Sequence, residues 1–194
     1  GLKPYIRVIG EKSASGYYNA MALPITKGKF VFIGSPVMSQ GISSRAKILS
    51  QGTSFRTKDL GDVTIDDFEI MLNLPTQSLL FCSADADGAL VPGYTVRNSL
   101  LQGGISPKNL GGGAAIVADR CNLRVYNNVI GIGTQAGLQD INAGAFNVGI
   151  ALAGYDYACG KDATAEIYNN LIAGNVWAGL DMTALQCPRW RIRA

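Results

Sequence analysis

The sequence predicts an all-β solenoid, a stack of like units made of short strands joined at sharp corners. Three observations predict it: one six-residue phrase recurs along the chain, a second phrase recurs between its copies, and glycine is abundant. The chain has 194 residues, of which 47% are hydrophobic, 16% are charged and 24 are glycine. This is the size of one ordinary domain with enough apolar residues for a core, and a fold with many tight turns needs glycine.

The first phrase reads Val/Ile-x-Asn/Asp-x-x-Ile/Leu. Its four copies, separated by 31, 29 and 42 residues, begin at Ile65, Val96, Val125 and Ile167. β-branched residues favour extended backbone, while Asn or Asp tolerates the left-handed conformation that bends the chain. Each copy therefore predicts strand, corner, strand, and we expect the amides of Asn98, Asn127 and Asn169 to form a ladder at one corner. The alternative is four unrelated hairpin turns.

The second phrase places a small residue before an aliphatic one, and it keeps nearly the same period. Its aliphatic residues, at steps of 32, 36, 34 and 30, are Ile48, Leu80, Ile116, Ile150 and Leu180. Two interleaved series with one period argue against unrelated hairpins. Each solenoid turn should then hold at least two strands, with these aliphatic side chains stacked inside and extra residues looped out.

The repeats divide the chain into two parts. Residues 1–45 are predicted to be strands and loops that lead into or cover the solenoid, and residues 46–194 are predicted to be the solenoid itself. The last four residues, 191–194, match the start of another corner phrase, with Ile192 at the place of Val125. The chain stops where the next Asn should come, so we expect a fragment of a longer solenoid or a partner chain that completes the end.

Glycine-plus-aliphatic strands followed by Val/Ile-x-Asn-Asn-x-Ile corners resemble the right-handed parallel β-helix proteins of the pectin-lyase-like superfamily. The resemblance covers residues 46–194 and, more weakly, residues 5–10 and 29–34. It implies a right-handed parallel β-helix of about five or six turns with looped insertions, located outside the cell or on a cell or virion surface. It does not imply one activity, because this scaffold carries lyases, hydrolases, phage tailspikes and adhesins.

Composition excludes several classes of function. The chain has no His, which excludes His-based acid–base catalysis, triads with a His base and His-ligand zinc sites. Its formal charge of +3 is dispersed, so we expect no nucleic-acid partner. Polar residues such as Gln135 and Asp140 interrupt the apolar stretch at 129–153, so it does not predict a membrane span. We expect no cofactor and no metal: the segment 85–88 resembles the start of a calcium loop but predicts a plain turn.

The four cysteines lack any Cys-x-x-Cys spacing, which excludes a zinc ribbon and a thioredoxin-type motif. Cys82 falls at an inward strand position and is predicted to be a buried thiol. Cys121, Cys159 and Cys187 fall between strands and could pair in an oxidising compartment. The spacing leaves the pairing open.

Residues next to the inward positions should point outward and stack in two columns. The predicted columns are Asp66, Arg97, Tyr126, Tyr168 and Arg193, and Thr64, Thr95, Arg124, Glu166 and Arg191. Tyr rings can stack on sugars, Arg can bind uronate or sulfate, and carboxylates can bind hydroxyls. We therefore predict a substrate-binding set of Asp66, Arg97, Arg124, Tyr126, Glu166 and Tyr168. The alternative is an ordinary solvated sheet face, which also carries Arg, Thr and Tyr.

Two classes of function follow. The first is a β-helix that binds an extended polysaccharide, either without cleaving it or as a polysaccharide lyase or glycoside hydrolase. Glycoside hydrolysis needs two carboxyl groups about 5 to 9.5 Å apart, or one to two strand spacings. The sequence has Asp66-Asp67 but lacks the His motif of polygalacturonase-type members, so no catalytic residue is predicted. The second class is a non-catalytic structural or adhesive module that self-associates.

The second phrase also predicts an association surface. Its outward column, Leu49, Phe81, Val117, Ala151 and Asp181, is apolar over the first four members. Such a strip usually marks a covered surface or an association site. Residues 1–45 could cover it, or another copy of the chain could. We predict a homo-oligomer or filament.

Overall fold

The computed structural model describes residues 18–20, 23–34, 37–39, 42–50, 53–72, 78–83, 91–103, 113–131, 146, 148–153, 163–173, 178–182 and 190–193. The predictions for residues 5–10 and 85–88, and for Cys159 and Cys187, lie outside these residues. All regular structure within them is β-strand. Across the same residues there is no helix with the length and hydropathy to cross a membrane.

The strands are β1 (Tyr18–Ala20), β2 (Leu23–Ile33), β3 (Val37–Ser39), β4 (Ile42–Ser44), β5 (Ala46–Ser50), β6 (Phe55–Asp66), β7 (Phe68–Leu72), β8 (Leu80–Ser83), β9 (Gly93–Arg97), β10 (Leu100–Gln102), β11 (Ala114–Asp119), β12 (Asn122–Tyr126), β13 (Val129–Gly131), β14 (Val148–Ala153), β15 (Ala163–Tyr168), β16 (Leu171–Ile172), β17 (Ala178–Asp181) and β18 (Trp190–Arg193). The pair β3–β4 is an antiparallel hairpin. Every other described pair of strands is parallel, as expected of stacked repeats rather than of hairpins.

The parallel strands form three stacks. Stack 1 contains the first part of β6 followed by β8, β11, β14 and β17, and stack 2 contains the last part of β6 followed by β9, β12, β15 and β18. Stacks 1 and 2 belong to one ten-stranded sheet because β6 runs through both, and β2 pairs with β6 along both parts. Stack 3 is a separate six-stranded sheet in the order β1, β5, β7, β10, β13, β16.

The chain visits the stacks in a fixed order. It passes through β11, β12 and β13, in stacks 1, 2 and 3, and then repeats the path one strand further along with β14, β15 and β16. This path makes one solenoid turn of three strands. The described residues thus confirm the predicted all-β class and its stacked parallel strands.

The core lies between the three stacks and is made of aliphatic residues that recur at the same register position. In stack 2 these are Ile65, Val96, Val125 and Ile167, and in stack 1 they include Leu80, Ile116 and Ile150. Stack 3 contributes Ile48, Ile70, Leu101 and Ile130. Leu180 is partly buried against the same core. The predicted inward faces of both phrases are therefore confirmed, with one exception.

The exception is Ile48, which the sequence assigned to the wrong series. Ile48 pairs with Ile70 in stack 3, and Phe55 pairs with Leu80 at the place predicted for Ile48. Leu49 moves with Ile48, so Arg56 is the neighbour of Phe81 in the outward column. The cause is β6, which runs from stack 1 into stack 2 without a break. The sequence therefore shows no gap that would mark its first half as a separate strand.

The predicted register of the last strand is also wrong. Ile192 pairs with Ala165 rather than with Ile167, so Arg193 lies beside Glu166 and Arg191 beside Thr164. Arg193 thus belongs to the column of Arg124, and Arg191 lies outside both predicted columns. A shift of two residues leaves the alternation of inward and outward positions unchanged, so the sequence pattern could not distinguish the two registers.

Cys82 is not the free thiol that its inward position suggested. It forms a disulfide with Cys121, with the two Cα atoms 6.1 Å apart and a sequence separation of 39. Both residues are fully buried. The bond joins β8 to the short connection between β11 and β12, and so links two consecutive solenoid turns through the core.

Candidate functional site

The corner between stacks 2 and 3 has the left-handed backbone that the first phrase predicts. Its corner residues have φ angles of 61° at Asp67, 53° at Asn98, 59° at Asn127 and 53° at Asn169. Asn169 Nδ2 donates to Asn127 Oδ1 at 2.6 Å, and Asn127 Nδ2 donates to Asn98 Oδ1 at 3.3 Å. Asn98 Nδ2 then donates to Asp66 Oδ1 at 2.7 Å. We call Asn98, Asn127 and Asn169 the outer ladder; its stacking at one corner confirms the prediction.

A second ladder, missed by the sequence reasoning, is formed by the residues that follow. Asn128 Nδ2 donates to Asn170 Oδ1 at 3.0 Å, and Asn128 Oδ1 accepts from the Ser99 backbone N–H at 2.9 Å. Asn128 Nδ2 also donates to the Val96 carbonyl at 3.0 Å. Ser99 and Asn128 are buried, so this inner ladder of Ser99, Asn128 and Asn170 satisfies polar groups inside the core. The doubled Asn in two copies of the phrase was the available signal.

The first outward column begins just before this corner. Asp66, Arg97, Tyr126 and Tyr168 occupy equivalent positions on consecutive strands. Arg97 donates from Nη2 to Asp66 Oδ2 at 2.7 Å and from Nη1 to Tyr126 Oη at 3.1 Å. The rings of Tyr126 and Tyr168 stack with centroids 5.0 Å apart and planes within 2° of parallel. The four residues form one continuous series of side-chain contacts.

The second column lies two residues earlier on the same strands. Arg124 and Glu166 are register partners, and Arg124 Nε lies 3.1 Å from Glu166 Oε2. Arg193, exposed on β18, is the next residue of this column. All six residues of the predicted substrate-binding set therefore lie together in two adjacent columns, as the sequence arranged them.

The contacts limit what these residues offer to a ligand. In the Tyr126–Tyr168 stack each ring covers one face of the other, so those faces are closed to a sugar ring. The hydrogen bond to the Tyr126 hydroxyl, followed by that to Asp66, raises the pKa of Arg97, so its guanidinium stays charged at any ordinary pH. Nη1 and Nη2 of that guanidinium each already donate one hydrogen bond, and Nε is buried without a partner. The half-exposed Tyr168, at 48%, is the more accessible ring.

Four further carboxylates among the described residues are ion-paired as well. Asp62 lies 3.1 Å from Lys29, Asp67 lies 2.9 Å from Arg45, Glu69 lies 3.4 Å from Lys47 and Asp119 lies 3.3 Å from Arg120. In the part of the chain that the structure describes, no cluster of three Cys, Asp or Glu residues could hold a metal ion.

The apolar strip predicted on stack 1 is shorter than the sequence suggested. Arg56 occupies the place given to Leu49, and its guanidinium lies over the Phe81 ring at 5.1 Å from the centroid. Phe81, Val117, Ala151 and Asp181 follow in register and are half-buried. Association through this strip stays a prediction.

Comparison of the chain with protein-family models, curated proteins and solved structures gave no match.

Proposed function

We propose that this protein is a non-catalytic structural or adhesive solenoid that supplies length and rigidity and self-associates. The observation that carries the proposal is that the six residues of the predicted substrate-binding set contact one another. Asp66, Arg97, Tyr126 and Tyr168 form one series, and Arg124 pairs with Glu166. We further propose that the solenoid is a right-handed parallel β-helix of the pectin-lyase-like type with about five or six turns, supported by the repeated corner phrase and the three parallel stacks.

The contacts suit a structural role because each of them joins one solenoid turn to the next. Arg97 bonds to Asp66, 31 residues away, and to Tyr126, 29 residues away. In a repeat protein stability comes from such contacts between neighbouring units. A sugar ligand at Arg97 would meet a guanidinium that two hydrogen bonds, one of them to a charged partner, already hold against the neighbouring turns.

The disulfide supports a location outside the cell or on a cell or virion surface. Cys82 and Cys121 are paired in the core, and disulfides persist mainly in oxidising compartments. Self-association into an oligomer or filament is part of the proposal and is measured directly by light scattering of the intact protein. A monomeric mass that persists at high concentration would contradict it.

The second candidate is binding of an extended acidic polysaccharide. The exposed Tyr168 favours this function, together with Arg124 and Arg193, the register partners of Glu166 two residues before it, because aromatic and cationic groups then lie towards one end of the two columns. On this hypothesis the ligand lies at the Tyr168 end, and Asp66 takes no part in binding.

One experiment separates the two candidates. The intact protein is titrated calorimetrically with polygalacturonate, alginate, a sulfated glycan and a neutral glucan, and each mixture is assayed for unsaturated products and released reducing ends. We expect neither saturable binding nor turnover. Turnover that disappears in Asp66→Asn would overturn the structural proposal. Saturable binding without turnover, lost in Tyr168→Ala at unchanged Tm, would favour the second candidate.

The matched variants Arg97→Ala and Arg124→Ala test the structural role itself. Arg97→Ala removes contacts to two solenoid turns and should lower the free energy of unfolding by about 1 to 3 kcal/mol. Arg124→Ala removes one exposed ion pair and should lower it by less than about 1 kcal/mol. Equal effects in denaturant titrations would show that the first column does not join the turns.

A further inference from the structure

The outward side of stack 2 is regular and rigid over its later strands. Strands β9, β12, β15 and β18 pair in unbroken register, and we call their outward residues the lateral face. The stacked rings of Tyr126 and Tyr168 and the ion pair of Arg124 with Glu166 hold the side chains of β12 and β15 in place. Side chains that are already fixed lose little conformational entropy when a partner binds, so this face is suited to association.

The lateral face also presents groups that a partner could contact. The Arg124 side chain is 64% exposed, Tyr168 is 48% exposed, and Arg193 is exposed on the same face. Arg and Tyr are enriched in protein–protein interfaces. An arginine has several N–H donors and a carboxylate has several acceptor sites. The single contact between Arg124 and Glu166 therefore leaves both groups able to bind a further partner.

The order of charges along the second column shows what kind of partner fits. Thr95, Arg124, Glu166 and Arg193 follow one another in register on β9, β12, β15 and β18. The charges on the two middle strands are opposite. The pattern of these two strands therefore becomes its own complement when the order of the strands is reversed, and a second copy of the chain supplies that reversed order.

Charge also selects the orientation of the second copy. A two-fold axis is the commonest symmetry of soluble oligomers. With the axis parallel to the direction of stacking, each strand would face its own counterpart, so that Arg124 would face the partner's Arg124. With the axis parallel to the strands and between β12 and β15, Arg124 faces the partner's Glu166 and Glu166 faces the partner's Arg124. Opposite charges favour the second orientation, and like charges oppose the first.

We propose that this protein forms a two-fold dimer through the lateral face, with β12 of one copy opposite β15 of the other. Two copies each of Arg124 and Glu166 then form a network of alternating charge, and Tyr126 lies opposite the partner's Tyr168. The four strands span only roughly 15 Å along the stack, so the interface is small and the dimer forms reversibly. This inference rests on the proposed function, since it names the surface and the partner for self-association.

Sedimentation equilibrium of the intact protein over a wide concentration range tests the proposal. We expect a reversible dimer, and Arg124→Glu should raise its Kd at least about tenfold because carboxylates then face each other at both contacts. The control Lys47→Glu makes the same change in net charge on stack 3, where Lys47 pairs with Glu69. It should leave the Kd within about twofold of the parent value, because charges away from the interface are screened. Thermal unfolding shows that each variant is folded.

Mixing two variants separates contacts between copies from the ion pair within one copy. In a dimer of Arg124→Glu both facing positions carry carboxylates, and in a dimer of Glu166→Arg both carry guanidinium groups. A mixed pair again sets opposite charges against each other, although the ion pair within each copy stays broken. We expect each variant alone to be monomeric where the parent is dimeric, and the equimolar mixture to recover a Kd within about threefold of the parent value.

The outcomes distinguish this inference from the proposed function. No recovery on mixing, or equal weakening by Arg124→Glu and Lys47→Glu, would overturn the lateral-face dimer. An oligomer that persists in Arg124→Glu and is lost in Phe81→Asp would also overturn it, while self-association, through stack 1, would stand. A parent protein that stays monomeric at the highest concentration would overturn both the dimer and the proposed self-association.

Discussion

The corner between stacks 2 and 3 and the connection between stacks 3 and 1 both join consecutive strands of the solenoid. The number of residues is nearly constant at the corner and varies widely in the connection. The chain crosses the corner in one or two residues at β6–β7, β9–β10, β12–β13 and β15–β16. The connections from stack 3 to stack 1 range from two residues, 21–22 between β1 and β2, to sixteen, 132–147 between β13 and β14. The ladders explain this difference. At the corner each ladder side chain bonds to the next solenoid turn, so an extra residue would shift the side chains and break these hydrogen bonds.

The first solenoid turn supports this interpretation. Between β2 and β5, where Gly34 replaces the corner Asn, the chain adds the hairpin β3–β4. The outer ladder has not begun there, since it runs from Asn98 to Asn169. The segment that joins stack 2 to stack 3 thus varies in length where the outer ladder is absent.

Inserting one residue should have the largest effect. A glycine placed between Asn127 and Asn128 shifts β13 by one residue and turns Ile130 out of the core, so we expect a loss of roughly 4 kcal/mol or more in the free energy of unfolding. A glycine inserted after Gln135, in a long connection, should cost less than about 1 kcal/mol, because loop-closure entropy grows slowly with length. Denaturant titration compares the two, and similar losses would contradict the contrast.

The disulfide should have the next largest effect. The connection between β11 and β12 contains only Arg120 and Cys121, and its bond to Cys82 spans 39 residues. Cys82→Ala/Cys121→Ala should lose about 4 kcal/mol, the chain-entropy value for such a loop. The measurement is the denaturant midpoint, with peptide mapping of the unreduced parent as the control. A loss below about 1 kcal/mol would show that the disulfide does not stabilise the connection between stacks 1 and 2 in the way that the ladders stabilise the corner between stacks 2 and 3.

The two ladders should differ from each other. Asn128→Ala removes a buried amide that serves Ser99, Val96 and Asn170, and should cost about 2 to 4 kcal/mol. Asn127→Gly removes an exposed amide while glycine keeps the positive φ, so about 1 kcal/mol or less is expected. Thermal and chemical unfolding of both variants measure the difference, and a larger loss for Asn127→Gly would reverse the assignment of the ladders.

The sequence predicted the elements that depend on alternation and on backbone conformation. The corner Asn residues and the inward aliphatic residues of stack 2 lie where the phrase placed them. The register of β18 could not be predicted, because a shift of two residues preserves the alternation of inward and outward positions. Ile48 was misplaced because β6 has no break. For the candidate site, spacing predicted which residues are neighbours, but whether Arg97 contacts a ligand or Asp66 depends on side-chain geometry that spacing does not contain.

The smallest predicted effect concerns pH and a contact across the core. The Tyr94 hydroxyl, in stack 2, donates to the Phe55 carbonyl in stack 1 at 2.8 Å. Burial raises the pKa of Tyr94 well above its usual value. Above about pH 10 the unfolded chain therefore loses this proton while the folded chain keeps it, so stability falls as pH rises from there towards the folded pKa.

Tyr94→Phe isolates this contribution. The variant should be less stable than the parent by about 1 kcal/mol at pH 7. This difference in the free energy of unfolding should become smaller between about pH 10 and 11. Denaturant midpoints across this range give the measurement, and a constant gap for Tyr94→Phe would contradict the predicted dependence.

The inner ladder also affects the deamidation of the asparagines in the outer ladder. Asparagine deamidates when the backbone nitrogen of the next residue attacks the side-chain carbonyl carbon, closing a succinimide and releasing ammonia. The nitrogens that would attack Asn98 and Asn127 are those of Ser99 and Asn128, which donate to Asn128 Oδ1 at 2.9 Å and to Asn170 Oδ1 at 3.0 Å. Local opening of the corner would break these two hydrogen bonds and free both backbone nitrogens to attack. The resulting aspartates would lie one strand apart, and their repulsion would hinder the corner from closing again.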